Sequence, residues 1–578
     1  MGDSQVTTSK PRRPNRKAVA LTEIEFSHRT RAAALAEMTA QPVDLLVVGG
    51  GITGAGVARD AALRGIRTAL VERGDLGIGT SSRSSRLIHG GLRYLEQREF
   101  GLVFESSRER RVLLRIAPHL VRPLAFLFPV YRGARVPPWK LRAGMWLYDL
   151  LAAFRNVHTH HWLGATAVRR LEPGLRDKGL RGGALYYDAQ VDDARLVLAT
   201  ARSAAQAGAR VATYAEAASL LKPDGRVRGA VVHDTLSGES HVVRALTVVN
   251  AAGPWVDALR RLDDSAAAPL LRLTRGSHVA VARGRLGNQH AITFTSPLDG
   301  RVMFVLPWRN LTYVGTTDTD EPIAPDEVSA SGADVTYLLR SVNAMFPGAR
   351  LGPADVLSTW AGVRALVQSD PALPPSAVSR EHRLEESAQG LITIAGGKLT
   401  TYRSMAAEVV DLVARRLRQL DGRPAPPDAP TDRLPLPGGE AADLAVLVEA
   451  ARARGAPEAT AAHLVSNYGS EWAAVLNLAD RDRTLAEPIV AGRPEIWAEV
   501  VHAVEREMAL RLSDLLIRRI HLLHEDPGHG TAVALAVARR MGGLVGWDES
   551  RMEDEVGAYL DAVRRMRGFM RDLARRPT

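Results

Sequence analysis

The stretch VDLLVVGGGITGAGVARDAALRGIRTALVE, Val43 to Glu72, decides the fold. Its apolar run, Leu45 to Val48, predicts a strand that is buried on both faces. Gly49-x-Gly51-x-x-Gly54 follows directly, and alanines at helical spacing then predict a helix. The stretch ends in RTALVE, which predicts a second strand. A strand, a glycine motif, a helix and a second strand in this order are typical of a dinucleotide-binding βαβ unit.

Each part of this unit has a physical reason to face a pyrophosphate. Gly49 makes the tight turn, Gly51 lets the backbone approach the phosphates, and Gly54 lets helix and strand pack closely. The helix N-terminus presents free N–H groups and a positive dipole end. Glu72 lies 18 residues after Gly54, where an acidic side chain binds the ribose hydroxyls. We therefore predict a dinucleotide site; the alternative is a glycine-rich turn without a ligand.

Length and composition narrow the class of protein. A chain of 578 residues predicts about two or three domains, and 46% apolar with 24% charged residues is ordinary for a soluble globular protein. The sequence has no apolar run of about 18 residues, so we expect no transmembrane helix. The N-terminus has no apolar core of the signal-peptide type, so export is not expected. Cysteine is absent, which excludes disulfides, thiolate metal sites and cysteine nucleophiles, and we predict no metal site.

The chain is basic. A net charge of +11 is compatible with a nucleic acid, an anionic membrane surface or an anionic substrate. Residues 1–41 carry a cluster of these charges with almost no apolar periodicity, so we predict a basic, disordered tail. A nucleic-acid-binding arm is the alternative. Since no stacking aromatics interleave with the charges, we expect no nucleic-acid partner.

Three later segments favour FAD over NAD. A hydroxyl-rich run, Thr80 to Ser85, follows the second strand and leads to paired glycines, which suggests a larger ligand than NAD. A predicted strand at Ala245 to Val249 ends in Ala251-Ala252-Gly253, and another at Leu391 to Ala395 ends in Gly396-Gly397 before a long helix. That helix N-terminus suits the negative charge that develops on a reduced flavin. No second GxGxxG appears, so we expect the substrate itself to reduce the flavin.

The motifs LIHGGLRYLE (87–96), TRGSHVAV (274–281), WAGVRAL (360–366), VSREHRL (378–384) and GGKLTTYR (396–403) resemble those of bacterial FAD-dependent, quinone-linked glycerol-3-phosphate dehydrogenases. The resemblance spans roughly residues 43 to 410, and LPLPGG and VSNYGS extend it into the family's C-terminal domain. It implies an α/β fold, with a Rossmann-like FAD domain of the glycine/D-amino-acid oxidase type, an inserted mixed-sheet substrate domain and an all-α C-terminal domain. We place the FAD domain and its inserted substrate domain together at residues 42–421 and the C-terminal domain at residues 440–578. A proline- and glycine-rich linker at 422–439 joins them.

The resemblance implies that the cofactor is FAD. His89 either lines the flavin or only shapes the turn, and Ala217 is similar to the family's backbone contact to the adenine. The predicted cofactor residues are Gly49, Gly51, Gly54, Glu72, Thr80, Ser81, Ser85, His89, Gly90, Gly91, Ala217, Ala252, Gly253, Gly396, Gly397, Leu399 and Thr400.

The resemblance also implies that the substrate is sn-glycerol 3-phosphate, a dianion that suits arginine forks. The matching residues are Arg93, Tyr94, His278, Arg364, Arg380 and Lys398. Of these we predict His278, Arg364 and Lys398 to be catalytic. His278 is the candidate base for the 2-hydroxyl proton, since a neutral imidazole suits that task near pH 7. The product would be dihydroxyacetone phosphate.

Partners follow from the same resemblance. We expect electrons to pass to a quinone; an oxidase that forms hydrogen peroxide is the rival enzyme, and a basic flavin- or nucleic-acid-binding protein is the non-enzyme alternative. The basic, tryptophan-bearing region Tyr131 to Phe154 predicts peripheral attachment to the inner face of the cytoplasmic membrane. An ordinary cap helix is the alternative there. The sequence is also compatible with a homodimer.

Overall fold

The computed structural model describes residues 25–91, 99–133, 137–151, 159–320, 324–368 and 380–575. Arg93 and Tyr94, predicted to bind substrate, lie outside the described residues, as do residues 1–24 of the predicted tail. Within the described ranges, every helix is too short or too polar to cross a bilayer.

Strands and helices alternate through the first three quarters of the chain, and helices alone follow. The strands are β1 (Val43–Val48), β2 (Thr68–Val71), β3 (Leu87–Ile88), β4 (Val121–Tyr131), β5 (His161–Gly164), β6 (Leu180–Val191), β7 (Arg210–Ala212), β8 (Ala215–Leu220), β9 (Gly229–Asp234), β10 (Ser240–Asn250), β11 (Leu271–Ala282), β12 (Ala291–Thr295), β13 (Val302–Trp308), β14 (Leu311–Gly315), β15 (Val356–Val367), β16 (His382–Glu386) and β17 (Leu391–Gly396).

The helices lie between these strands and beyond them. They are α1 (His28–Ala40), α2 (Ile52–Leu63), α3 (Phe100–Ile116), α4 (Pro138–Leu151), α5 (Ala165–Leu171), α6 (Asp193–Gln206), α7 (Val256–Asp263), α8 (Arg283–Leu286), α9 (Gly332–Met345), α10 (Tyr402–Asp421), α11 (Leu444–Ala453), α12 (Glu458–Tyr468), α13 (Trp472–Arg481), α14 (Trp497–Arg506), α15 (Leu522–Glu525), α16 (Ala534–Val545), α17 (Glu549–Met566) and α18 (Phe569–Ala574).

Two sheets organise the larger region. The first has the order β16-β17-β10-β1-β2-β7, with β8 and β9 added beside β10, and its central strands from β17 to β7 are parallel. The second has the order β15-β11-β14-β13-β12-β4-β6-β3, with β5 beside β6, and β12 and β4 form its parallel pair. The second sheet is therefore mixed, as predicted for an inserted substrate domain.

The predicted βαβ unit is confirmed as β1, α2 and β2. All six residues of β1 are buried, and β1 pairs in parallel with both β2 and β10. Gly49 has a φ of +116°, and a Cβ there would lie 2.5 Å from the Ala251 carbonyl oxygen. A Cβ on Gly54 would lie 1.8 Å from the Gly49 carbonyl oxygen. Both glycines are therefore required by close backbone approach, between β1 and the chain after β10 and between β1 and α2.

The N-terminal region is a correction to the sequence prediction. We predicted a disordered tail over residues 1–41, and this prediction is wrong for the residues of α1. The helix begins after Ser27, whose hydroxyl caps it by accepting the Arg29 N–H at 3.1 Å. Arg31 is buried and forms a 2.6 Å ion pair with Asp234, and its Nε donates to the Thr213 carbonyl at 2.7 Å. The basic composition alone did not indicate this helix, because the charge of Arg31 is neutralised by Asp234, which is distant in the sequence.

The C-terminal helices pack onto the first sheet through buried charge pairs. Asp75, in the loop after β2, accepts hydrogen bonds at 2.8 Å from both Nη1 and Nη2 of Arg519, and it also pairs with Arg518. Arg195 on α6 pairs with Glu507 at 2.5 Å. The proline-rich stretch 422–439 is also anchored, because Arg59 on α2 donates to the Leu434 carbonyl at 2.7 Å.

Candidate active site

One large cavity, of about 940 Å³, is lined by residues of both sheets. This volume lies at the upper end of the range for ligand pockets. The first sheet contributes the glycine motif and the end of β17, and the second sheet contributes side chains of β4, β6, β12, β13 and β15. Fourteen of the seventeen predicted cofactor residues line it, namely Gly49, Gly51, Glu72, Thr80, Ser81, Ser85, His89, Gly91, Ala217, Ala252, Gly253, Gly396, Gly397 and Leu399.

Glu72 organises one end of the cavity. Its carboxylate is buried and accepts the Gly50 N–H at 2.6 Å and the Gly74 N–H at 2.9 Å. Burial raises the pKa of Glu72, while these two backbone donors act in the opposite direction. Beside it, Ser81 Oγ accepts the Ile52 N–H at 3.0 Å, at the first turn of α2. This end therefore combines a carboxylate that accepts hydrogen bonds with a hydroxyl and a helix N-terminus, which are the groups that an adenosine ribose and a pyrophosphate require.

A second feature of this end escaped the sequence analysis. The Arg73 guanidinium lies 4.2 Å from the centre of the Trp255 ring, and Trp255 Nε1 donates to Asp326 at 3.2 Å. Arg73 also pairs with Asp326. Arg73 and Trp255 both line the cavity. The tryptophan follows Gly253 in the predicted segment, but Asp326 comes from the distant β14–α9 connection, and no local pattern indicates that pairing.

Another part of the cavity wall is built from two glycine turns. Gly396 has a φ of +75° and Gly397 a φ of +87°, and a Cβ on Gly397 would lie 2.3 Å from Met405 Cε. The backbone can therefore pass the cavity here only without side chains. Thr400 Oγ1 accepts the His89 N–H at 3.3 Å and donates to the His89 carbonyl at 3.4 Å, which ties this turn to the LIHGG turn.

Three predicted cofactor residues lie outside the lining of the cavity. Among the described residues, Gly54, Gly90 and Thr400 are not part of the cavity lining. Gly54 is the contact between α2 and β1, and Thr400 supports His89. Gly90 donates its N–H to Tyr148 Oη and to Asp188 Oδ1, each at 3.1 Å. In this structure, these residues shape the lining from outside it.

Three predicted substrate residues belong to the lining of the same cavity. Arg364 on β15, Arg380 and Lys398 all line it. The Arg364 guanidinium donates to Asp318 Oδ1 and to Thr316 Oγ1, both at 3.0 Å. Gly276 on the neighbouring strand leaves the space for it, since a Cβ there would lie 2.3 Å from Arg364 Nη2. A polar, cationic wall thus adjoins the two glycine turns.

Lys398 is unusual among these cations. Burial lowers the pKa of Lys398 to about 7, although Glu99 and Glu105 act in the opposite direction. The ammonium is therefore partly neutral near pH 7, and an anion beside it would restore its charge.

His278 does not lie where the sequence analysis expected a base. In the described part of the chain it is not among the lining residues; it is buried on β11, with its ring stacked on Trp360 at 5.0 Å between centres. Its Nε2 lies 2.8 Å from Ser85 Oγ, and Ser85 does line the cavity. Burial, followed by the charges of Arg364 and Arg86, lowers the pKa of His278 to about 3. The imidazole is therefore neutral and reaches the cavity through one hydroxyl.

His89 lies directly in the lining. Burial is the largest cause that lowers the pKa of His89 to about 4, while the charge of Asp188 acts in the opposite direction. His89 therefore stands in the cavity wall as a neutral imidazole. In the described residues, no group of three or more histidine, aspartate or glutamate side chains is placed to hold a metal ion.

Comparison with known proteins agrees with this geometry. Residues 44–403 match the family model of FAD dependent oxidoreductases, and residues 429–552 match the model of the C-terminal domain of alpha-glycerophosphate oxidase. An aerobic glycerol-3-phosphate dehydrogenase of Staphylococcus haemolyticus is 36% identical over 521 residues, which cover 88% of this chain and 92% of that protein.

Solved structures give the same result. A glycerol-3-phosphate dehydrogenase from Bacillus halodurans, complexed with FAD, is similar with a TM-score of 0.79 and 32% identity, over 94% of this chain and 98% of that one. A glycine oxidase from Geobacillus kaustophilus, at 22% identity and a TM-score of 0.50 over 65% of this chain and 95% of that one, shares the fold. The predicted fold class and FAD as cofactor are confirmed. The chain belongs to the FAD-dependent oxidoreductase family and, within it, to the glycerol-3-phosphate dehydrogenases.

Proposed function

We propose that this protein oxidises sn-glycerol 3-phosphate to dihydroxyacetone phosphate and passes the electrons to a quinone. The observation that carries the proposal is the cationic wall of Arg364, Arg380 and Lys398 beside the Gly396–Gly397 turn, in the cavity that begins at the dinucleotide motif. The glycerol-3-phosphate dehydrogenases of Staphylococcus haemolyticus and Bacillus halodurans align over 88% and 94% of this chain. A small anionic substrate matches the cationic residues of this cavity, and a flavin matches its dinucleotide motif.

The residues present fit FAD. Gly49, Gly51 and Glu72 would hold the adenosine and pyrophosphate, and His89 with Gly397 would border the ring system. When bound, FAD supplies the acceptor for the hydride that leaves C2 of the substrate. Position 397 requires glycine, because its φ is +87° and a Cβ there would collide with the buried Met405.

The cationic residues would bind and orient the substrate phosphate. An arginine presents its donors in a planar fork, so Arg364 and Arg380 would fix direction as well as charge. Lys398 would be protonated when a phosphate dianion lies beside it, because an opposite charge favours the charged form.

An imidazole would take the proton of the 2-hydroxyl. His278 is the base we propose from the sequence, and the 2.8 Å contact between its Nε2 and Ser85 Oγ supports a route in which Ser85 passes the proton on. His89 is a second candidate, favoured by its direct place in the cavity lining. Both rings are neutral near pH 7 and can accept a proton, but burial, which lowers the pKa of His278 to about 3 and that of His89 to about 4, makes each a weaker base than a free imidazole.

One experiment tests the reaction and the acceptor together. Anaerobic addition of sn-glycerol 3-phosphate to the FAD-loaded protein should bleach the flavin absorbance, and a soluble quinone should then restore it. Absence of bleaching would refute the proposed substrate. Rapid recovery in air, with stoichiometric hydrogen peroxide and no response to quinone, would assign the chain to the oxidases instead.

Attachment to an anionic membrane surface is part of the proposal, and helix α4 supports it. Trp139 is 72% exposed and Trp146 is 63% exposed, next to the cationic Lys140 and Arg142. Tryptophan and basic side chains on one helix are typical of an interfacial segment. The opposite face of α4 packs inward through Met145, as the cap-helix alternative requires. Replacement of both tryptophans by serine should reduce co-flotation with phosphatidylglycerol vesicles; unchanged flotation would leave α4 as a cap.

A further inference from the structure

A buried network of three side chains holds the backbone at Gly90. The Gly90 N–H has two acceptors, Tyr148 Oη and Asp188 Oδ1, each at 3.1 Å. Tyr148 lies on α4 and donates its hydroxyl to Asp188 Oδ1 at 2.8 Å. Arg110 on α3 donates to Tyr148 Oη at 2.7 Å and also pairs with Asp188. The network therefore joins α3, α4 and β6 to a single peptide N–H.

The hydroxyl of Tyr148 is fully used in this arrangement. A phenol offers one donor and two acceptor positions, and here it donates to Asp188 and accepts from Arg110 and Gly90. The side chain is only 1% exposed, and of its partners Asp188 itself lines the cavity. Gly90 is packed against the ring, because a Cβ there would lie 2.3 Å from Tyr148 Oη. Neither phenylalanine at 148 nor alanine at 90 can reproduce the contact.

The peptide that this network holds is part of the cavity wall. His89 and Gly91 line the cavity on either side of Gly90, whereas among the described residues Gly90 and Tyr148 are not in the lining. Thr400 holds His89 from another element through two hydrogen bonds. The turn is therefore fixed at two points, one on the GGKLTT segment and one on α4.

We infer that Tyr148, with Asp188 and Arg110, is a positioning residue that sets the place of the His89–Gly91 turn against the ligand in the cavity. The chemical consequence for flavin reduction rests on the proposed function; the positioning itself does not. Tyr148 acts through the Gly90 N–H and touches no ligand position. Because α4 also presents Trp139 and Trp146 to the outside, the same helix connects the outer surface with this turn.

The test uses the full-length, FAD-loaded protein with Tyr148→Phe. We expect hydrogen–deuterium exchange at the Gly90 amide to accelerate by up to about tenfold, the factor for one lost hydrogen bond of ordinary strength, since the N–H loses Tyr148 Oη but keeps Asp188 Oδ1. The visible flavin spectrum should shift while the FAD content stays unchanged. With sn-glycerol 3-phosphate, the limiting rate of anaerobic flavin reduction should fall by about tenfold and its pH profile should move, while the substrate Kd stays within about twofold.

Tyr559→Phe is the matched control. It removes a phenol hydroxyl of equal burial in the C-terminal domain, where Tyr559 donates to the His529 carbonyl. We expect a loss of thermal stability in both variants, but altered Gly90 exchange and flavin spectrum only in Tyr148→Phe. Should Tyr148→Phe fail to fold, Arg110→Lys, which keeps the charge but loses the fork, should give the same changes in weaker form.

The outcomes separate the two proposals. Unchanged Gly90 exchange and an unchanged flavin spectrum in folded Tyr148→Phe or Arg110→Lys overturn the positioning role, whatever the substrate does. Faster exchange with an unchanged reduction rate and pH profile overturns its relevance to the reaction. A wild-type flavin that the substrate does not bleach overturns the proposed function and leaves the exchange result standing.

Discussion

Replacement of Arg364 by alanine tests the substrate site most directly. Arg364 lines the cavity and donates to Asp318, Thr316 and Thr317, so its guanidinium is held in one orientation before any ligand arrives. A hydrogen bond to a charged group contributes about 1.5–3 kcal/mol. Loss of one such bond to the phosphate should therefore raise KM by about 10- to 150-fold.

The structure also indicates how the variant will behave as a protein. Asp318 loses its nearest cation in Arg364→Ala, but Arg301 remains within 3.8 Å of its carboxylate. We therefore expect a modest cost of about 1–3 kcal/mol in the free energy of unfolding and normal FAD content. Arg364→Lys keeps the charge without the fork, so its KM should fall between the wild type and alanine variants.

The assay is stopped-flow flavin reduction over a range of sn-glycerol 3-phosphate concentrations. The matched control is Arg272→Ala on the neighbouring strand, which breaks a similar ion pair, with Asp320, outside the cavity lining described here. We expect the control to bind substrate like the wild type. An Arg364→Ala variant with full FAD and an unaltered substrate KM would remove Arg364 from the phosphate site.

Ser85→Ala removes the hydroxyl that contacts His278, so the flavin reduction rate should fall by about a hundredfold, as in His278→Gln; an unaltered rate in both would exclude the Ser85 route. Burial lowers the pKa of Lys398 to about 7, so its cationic fraction decreases as pH rises through that value. The kcat/KM should therefore decline between about pH 6 and 8, and Lys398→Arg, which stays charged, should lose that decline. Asp75→Asn leaves Arg518 and Arg519 without their shared carboxylate, so the free energy of unfolding measured with denaturant should fall by about 3–5 kcal/mol. A decrease below about 1 kcal/mol would contradict the importance of these buried charge pairs for the interface.

Local sequence motifs determine the structure of the βαβ unit and of the glycine turn after β17. A strand, three glycines, a helix and an acid lie within one continuous stretch, so their mutual placement is set mainly by short-range geometry, with the pairing of β1 and β10 adding the close approach at Gly49. The same holds for the Gly396–Gly397 turn, which stands between β17 and α10. The sequence predicts these parts correctly because each contact partner lies within a few residues or one strand pairing.

The remaining decisions needed the tertiary structure, because they depend on residues that are far apart in the chain. Arg31 is stabilised by Asp234, 203 residues later, and so a basic segment becomes a packed helix. In the part of the chain that the structure describes, His278 stands behind the cavity lining and contacts it at Ser85, which composition and motif spacing cannot reveal. The Tyr148 network joins three elements at Gly90. Hydrogen-bond partners, burial and the resulting pKa shifts are properties of packing in three dimensions, and for this protein they decide which side chains face the ligand and which hold the others in place.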